Sequence, residues 1–295
     1  MTENKIIIIG YGPSGIACAI QMVRLGLHPV VIEKSRPGGM LTNARLIENY
    51  PGFPEGITGE KLARRMIKQA KRFNINVIKD EITFVDHRND NYILKGIIEN
   101  YTCDVLVAAT GTVPVTPENI PAKLFRNKRI HTDIAGLKNI SGKSVGIVGA
   151  GDAAFDYSLS LAEKENNVMI FNRGDQVKAL KVLKENVFIN NRINYIDNIE
   201  IKSLEILPDK RLHATCNSAS AIRNYFLDYL IFATGRKPAD GFFQKSLEGK
   251  LDGLISSHRL YLIGDLKNGS CRQVSAAVGD GVRAAMEIFH HESNQ

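Results

Sequence analysis

The apolar and polar positions of the chain fall into one pattern that occurs twice. Lys5–Ile9 is an apolar, β-branched run, four isoleucines behind a lysine, as expected of a parallel strand buried on both faces. An apolar helical stretch follows to about Leu25, and a second strand over Pro29–Ile32 closes on Glu33. The same succession returns as a strand over Ser144–Val148, a helix over Ala153–Lys164 and a strand over Asn167–Phe171. Each copy then passes into alternating positions that predict a β-meander, turning at Asn89–Asn91 in the first and at Pro208–Lys210 in the second. Both copies end in an apolar strand closing on Ala-Thr-Gly, "CDVLVAATG" at 103–111 and "LDYLIFATG" at 227–235. After about Pro238 a further strand runs to Ile263, then Gly264-Asp265, then a closing amphipathic helix. The expectation is an α/β protein with two Rossmann-like, three-layer ββα modules.

Each strand–helix junction carries glycines. Gly10, Gly12 and Gly15, with Pro13 and Ser14 between them, form a GxGxxG loop that opens the first helix. Such glycines allow the tight turn, the close approach of backbone to a pyrophosphate and the packing of helix on strand. The helix N-terminus offers free N–H groups to phosphate, and Glu33, followed by Lys34, is placed to take ribose hydroxyls. The second loop is Gly149-Ala150-Gly151-Asp152-Ala153. Its following strand ends without an acid, in Asn172 and Arg173, with Lys178 further on. A guanidinium there attracts the 2′-phosphate that a carboxylate would repel, so this loop is expected to prefer NADPH to NADH.

Composition narrows the class. The 295 residues suffice for two domains, and 44% hydrophobic with 23% charged residues is ordinary for a globular protein. No apolar run is long enough for a membrane span, and the N-terminus enters a strand without the pattern of a signal peptide, so a cytoplasmic location is expected. Cys18, Cys103, Cys216 and Cys271 have neither CxxC nor zinc-site spacing. The net charge is +7, which Lys- and Asn-rich background composition is enough to produce. Within "EKLARRMIKQAKRF", Lys61, Arg64, Arg65, Lys68, Lys71 and Arg72 share one helical face. We read this as a solvated face, and as one suited to an acidic electron carrier such as ferredoxin or flavodoxin. No aromatic residues interleave with these charges, so nucleic acid is not expected as a partner.

Over essentially its whole length, and in the same order, the chain resembles the low-molecular-weight thioredoxin reductases and their flavoprotein relatives. The resemblance is carried by "GYGPSG" with "VIEKS", by "GGMLTNARLIENYPGFPEGITGEKL" at 38–62, by "AATG", "GAGDAA" and "FATG", and by "IGDLKNGSCRQVSAA". It implies an FAD domain over 1–112 and 239–295, interrupted by an NADPH domain over 113–238, and a homodimer. Carried over position by position, Gly38, Gly39, Met40, Leu41 and Thr42 would lie along the FAD and Asn49 near its ring. Ala109, Thr110 and Gly111 would lie on the FAD side, and Gly264 and Asp265 would reach the ribityl chain. Arg272 and Gln273, with Val274 and Ala276, would meet the flavin. Thr234, Gly235 and Arg236 would lie on the NADPH side.

The chain departs from that family at one place. A CxxC relay would be expected at about Thr132–Gly136, inside "RIHTDIAGLKN", and no cysteine is there. A disulfide relay needs two sulfurs, so neither His131 nor Asp133 replaces it. His131 is a candidate for managing a proton or else a surface or capping residue, and Asp133 a candidate cap for the next turn. Cys271 is a candidate thiol near the flavin but has no neighbouring partner; Cys18 reads as core. Cys103 and Cys216 would pair only through tertiary structure. His290 and His291 read as exposed, and no metal site is expected. The resulting expectation is an FAD-dependent NAD(P)H oxidoreductase that passes electrons from flavin to an external acceptor, with ferredoxin or flavodoxin first. The ferredoxin–NADP reductase branch of the family also lacks the cysteines, although it usually carries a C-terminal extension. Two alternatives stand beside it: a reductase of an external disulfide, and a flavin- and nucleotide-binding regulatory protein without turnover.

Overall fold

The structure is a computed structural model that describes residues 2–118, 120–218 and 221–293. Along the chain, β1 (Thr2–Ile9) leads into α1 (Pro13–Arg24), β2 (Val30–Glu33), α2 (Gly59–Lys71) and β3 (Asn76–Lys79). Then come β4 (Ile82–Arg88), β5 (Asn91–Gly96) and β6 (Asn100–Ala108), and β7 (Thr112–Pro114) carries the chain into a second unit. That unit holds β8 (Ile130–His131), β9 (Ser144–Val148), α3 (Asp152–Ala162), β10 (Asn167–Phe171), α4 (Lys181–Phe188) and β11 (Ile193–Ile196). It continues with β12 (Ile199–Ile206), β13 (Leu212–Ser218), β14 (Ile222–Leu227) and β15 (Tyr229–Phe232). The chain returns through β16 (Arg236–Pro238) to α5 (Leu251–Ser256), β17 (Leu260–Leu262) and α6 (Val274–Ser293).

Contacts divide the chain into a first unit, built from the N-terminal residues to Thr42, Leu46–Val113 and the residues from Lys237 on, and a second, Asn43–Arg45 and Pro114–Arg236. In the first unit the sheet order is β3-β2-β1-β6-β5-β4, with β17 on the free part of β6. β1 pairs in parallel with β2 and β6, which explains its continuous apolar run: Ile6, Ile7 and Ile8 are all buried. α1 lies against α6 so closely that Gly281 has no room for a side chain. A Cβ there would stand 2.2 Å from the Ser14 carbonyl oxygen. In the second unit a parallel sheet β11-β10-β9-β15-β8 stands beside a separate antiparallel sheet, β12-β13-β14. Phe155, Ile147, Ile170 and Leu161 centre its core.

The expected elements are present, with shifted ends. β1 starts earlier than Lys5, β2 begins at Val30 rather than Pro29, and α3 occupies Asp152–Ala162 rather than Ala153–Lys164. The short strands β3, β8 and β11 carry too few apolar residues to register in a pattern; parallel partners define them. His291 is half-buried with its ring 5.0 Å from His258, so only His290 is exposed as read. Of the thiols, Cys18 and Cys103 are in first-unit core clusters and Cys216 is in a second-unit cluster. Burial pushes all three thiols up, Cys216 to about 11, and Cys271 is exposed. Among the described residues no helix is long and apolar enough to cross a membrane, and no cluster has the makings of a metal site.

Candidate functional site

In the first unit the glycine loop follows β1 directly. Gly10 has φ +103°, and a Cβ on it would stand 2.4 Å from the Ala109 carbonyl oxygen; one on Gly15 would stand 2.0 Å from the Gly10 oxygen. Only glycine fits at either position. Gly12, between them, has nothing within 4 Å of where a Cβ would be, so the tip of the loop faces open space at the N-terminus of α1. That is the cradle a pyrophosphate needs: bare backbone, a helix N-terminus and room.

Four segments converge on this loop. Glu33, at the end of β2, is buried, and its Oε2 accepts from the Tyr11 N–H at 2.7 Å while Oε1 accepts from the Ser35 N–H at 2.8 Å. Lys34 points away to Glu81, 3.4 Å off. The Gly38 N–H donates to the Tyr11 carbonyl at 2.8 Å, and a Cβ on Gly39 would stand 3.5 Å from the Gly12 Cα, so the turn Gly39–Asn43 lies over the loop. Thr42 Oγ1 closes that turn on the Gly39 carbonyl, and Leu41 is buried beneath it. Ala109 abuts Gly10, and Thr110 Oγ1 donates to the Ala239 carbonyl at 2.8 Å, next to Gly111 at φ +66°. Gly264, at φ +68°, packs against Ser14, whose Oγ lies 2.6 Å from where its Cβ would be. Asp265 sits in the short helical turn Gly264–Leu266; Arg272 and Gln273 lead into α6, with Val274 half-buried and Ala276 exposed in its first turn.

Between Gly39 and α2 the chain makes a loop whose ends are joined by two hydrogen bonds between Ile47 and Ile57, 2.8 and 2.9 Å. Asn49 sits in that loop, and its Nδ2 donates to Gln273 Oε1 at 2.9 Å. Two residues far apart in sequence, both expected near a flavin ring, are thereby in contact.

The second unit repeats the loop. Gly149 has φ +134°, with the Ala233 carbonyl 2.4 Å from where its Cβ would be, and Gly151 is open like Gly12. Asp152 Oδ1 accepts from the Leu180 N–H and the Lys178 N–H donates to the Ala150 carbonyl, which holds segment 173–180 beside the loop. Ala153, Arg173 and Lys178 are exposed there. Asn172 is buried instead, and its amide donates to the Gln176 carbonyl and to Tyr195 Oη at 2.8 Å. It shapes the loop from within, whereas the two cations face solvent. Thr234 Oγ1 donates to the Val115 carbonyl, Gly235 has φ +113°, and Arg236 is half-buried.

The stretch that lacks the thiols lies at the edge of this second sheet. His131 pairs through β8 with Ile231, its Nε2 lies 2.9 Å from the Lys128 carbonyl, and Gly136 packs against its ring. Burial lowers its pKa, partly offset by the Lys128 contact and by Asp133. Asp133 Oδ1 accepts from the Ala135 N–H at 2.8 Å and caps the next short turn. Sequence reasoning missed Asp280, whose Oδ2 accepts from the Gly264 N–H and from Asn268, and Tyr195, which holds Asn172. Neither has a local signal; both act across the fold.

Bare-backbone loops at helix N-termini, with a buried acid in one unit and exposed cations in the other, are the donor sets that FAD and NADPH require. A model of the pyridine nucleotide-disulphide oxidoreductase family matches residues 4–281. A thioredoxin reductase of Chlamydia pneumoniae is 30% identical over 97% of this chain and 98% of its own. A thioredoxin reductase of Bacillus subtilis is 26% identical over 99% and 96%. Among solved structures, thioredoxin reductase of Lactococcus lactis superposes with TM-score 0.85 at 21% identity over 99% of both chains. A bacillithiol disulfide reductase of Staphylococcus aureus gives 0.78 at 16%, over 99% of this chain and all of its own.

Proposed function

The chain belongs to the pyridine nucleotide-disulphide oxidoreductase family, as an NADPH-dependent flavoprotein oxidoreductase of thioredoxin reductase type, and we propose that it delivers electrons to an external acceptor without an internal disulfide. The observation that carries this reading is the site of the missing relay. His131 and Asp133 are spent on the Lys128 carbonyl and the Ala135 N–H, and the described cysteines lie buried in cores or, for Cys271, alone on the surface.

Bound FAD supplies a two-electron acceptor for nicotinamide hydride that can release electrons singly. In our reading the first unit holds it. Gly10, Gly12 and Gly15 admit the pyrophosphate, Glu33 takes the ribose, and the Gly39–Thr42 turn and the Gly264–Asp265 turn line the remainder. The Asn49–Gln273 contact fixes the loop that faces the ring. The second unit holds NADPH, with Gly149 and Gly151 at the pyrophosphate and Arg173 and Lys178 at the 2′-phosphate. NADPH would leave as NADP⁺ after giving up a hydride, whose two electrons reduce two one-electron carriers once each and whose proton is released to solvent. An acidic protein carrier such as ferredoxin or flavodoxin is the acceptor we propose, and the protein is proposed to act as a cytoplasmic homodimer.

Anaerobic titration of the yellow protein tests this. Bleaching by NADPH at far lower concentration than by NADH, followed by re-oxidation with a protein carrier and no loss on replacing Cys271, is expected. Failure of NADPH to bleach the flavin overturns it. A second reading, reduction of an external disulfide, has the exposure of Cys271 two residues before Gln273 in its favour. Loss of disulfide reduction in Cys271→Ser, with bleaching retained, would decide for it.

A further inference from the structure

α2 is the most one-sided helix of the protein. Leu62, Ala63 and Ala70 are buried, and Ala63 and Ile67 touch the position of the Gly38 side chain, so the helix lies directly behind the Gly39–Asn43 turn. Thr58 caps its N-terminus with Oγ1 accepting from the Lys61 N–H. Its opposite face holds Lys61, Arg64, Arg65, Lys68, Lys71 and Arg72, all exposed. Among the described residues only Arg64 has a carboxylate partner, Glu60 at 2.6 Å; Arg65 instead lies over the Phe53 ring, 5.1 Å from its centre. At 100° per residue, Lys61, Arg65, Lys68 and Arg72 fall in one stripe along the helix.

Lysine and arginine side chains lose entropy and repel one another when crowded, so a stripe of unpaired cations is not explained by the stability of α2. The stripe ends at a cleft of about 330 Å³ between the 46–58 loop and the helix, lined by Leu46, Phe53, Glu55, Ile57, Lys61 and Arg65. The same loop carries Asn49 to Gln273. The cationic stripe therefore runs up to the chain segment that the proposed flavin site is made of.

We infer that the exposed face of α2, with the cleft at its N-terminal end, is the docking surface for the acidic electron carrier. This rests on the reading of an external protein acceptor and assigns it a place. The occupant is argued from charge: a carrier whose redox centre is ringed by carboxylates meets a stripe of unpaired ammonium and guanidinium groups, and Phe53 with Leu46 offers an apolar foothold beside it. A second copy of this face would set like charges against like. The carrier is steered by long-range attraction, so the effect falls on its encounter rate and on KM.

The test is the full-length holoprotein with Lys61→Glu, Lys68→Glu and Arg72→Glu together. These leave Arg65 on Phe53 and touch none of the proposed cofactor residues. Flavin content, circular dichroism, bleaching by NADPH and reduction of a small neutral quinone are expected to be unchanged. The KM for an acidic ferredoxin or flavodoxin is expected to rise about tenfold or more, and the decline of kcat/KM with salt to flatten. The triple Gln variant is expected to fall between. Equal KM and equal salt dependence in variant and parent overturn the inference while leaving the external-acceptor reading intact. A parent that is bleached by NADPH yet reduces neither carrier overturns both the inference and the protein-acceptor reading. Loss of binding to anionic vesicles with carrier reduction unchanged gives the face to a membrane and likewise overturns it.

Discussion

The two units build the same loop and then treat the end of the next strand in opposite ways. In the first, Glu33 is buried and draws Tyr11 and Ser35 N–H groups onto its carboxylate, so negative charge is held at the mouth of the loop. In the second, buried Asn172 does the local bracing and leaves Arg173 and Lys178 at the surface. On the proposed assignment the same scaffold serves either dinucleotide, and a handful of strand-end side chains would decide between them. A second contrast lies in the meanders. β6 runs without a break from the meander into the parallel sheet, because β1 reaches far enough to pair with it from Thr2 to Ile9. β9 begins only at Ser144, and there Asp228 interrupts the corresponding strand, donating to the Ser144 carbonyl and accepting from its N–H. A meander that shares a strand with the main sheet in one unit is a separate sheet in the other.

The largest effect should come from the paired glycines. Gly10→Val places a side chain against the Ala109 carbonyl at positive φ, and Gly149→Val does so against Ala233. The first is expected to yield colourless protein by absorbance, and the second to stay yellow but lose NADPH affinity by more than tenfold in titration. If either loses both cofactors, the two cradles are not independent. Gly281→Val drives a side chain into the α1 backbone and is expected to destabilise the first unit by about 3 kcal/mol, read as an early thermal transition with the second unit unaffected.

Asp80 and Asp197 occupy matching places, each just after the third strand of its βαβ run. Asp80 is buried and accepts from the N–H groups of Glu81, Ile98 and Glu99 and from Tyr101 Oη, whereas Asp197 is exposed. Asp80→Ala is expected to cost about 2–3 kcal/mol in denaturant unfolding, and Asp197→Ala almost nothing. Burial alone would raise the Asp80 carboxyl, but the hydrogen bonds together hold it below the ordinary 3.8. With the folded value depressed, its contribution is complete above about pH 4 and disappears as the pH falls through the folded value. Asp80→Asn should therefore remove part of the acid sensitivity of the first unit. A change confined to cofactor choice is Arg173→Glu, expected to shift the NADPH-to-NADH preference by about tenfold through loss of one charge-assisted contact.

Much of this was legible in the chain. The glycine loops, their flanking strands and the Ala-Thr-Gly endings are local, because a positive φ or a doubly buried strand leaves its mark on neighbouring residues. The sharing of β6 was not legible: "CDVLVAATG" and "LDYLIFATG" look alike, and the difference lies in how far a partner strand extends. Asp280 was invisible for the same reason, since it braces Gly264 from nearly two turns inside α6. Asn172, expected at the nucleotide, is buried and donates to Tyr195 Oη, a contact across the fold that no local pattern announces.

The packing of α6 on α1 also sets an order of events during synthesis. The second unit is continuous from Pro114 apart from the small Asn43–Arg45 insertion, so its strands are all available once Arg236 has been made. The first unit lacks β17, the Gly264 turn and the helix that covers α1 until α6 has been made. Its N-terminal half cannot complete the packing on α1 before then, whereas the strands of the inserted unit are already all present. The glycine loop that appears first in the sequence therefore belongs to the unit whose last elements are made later.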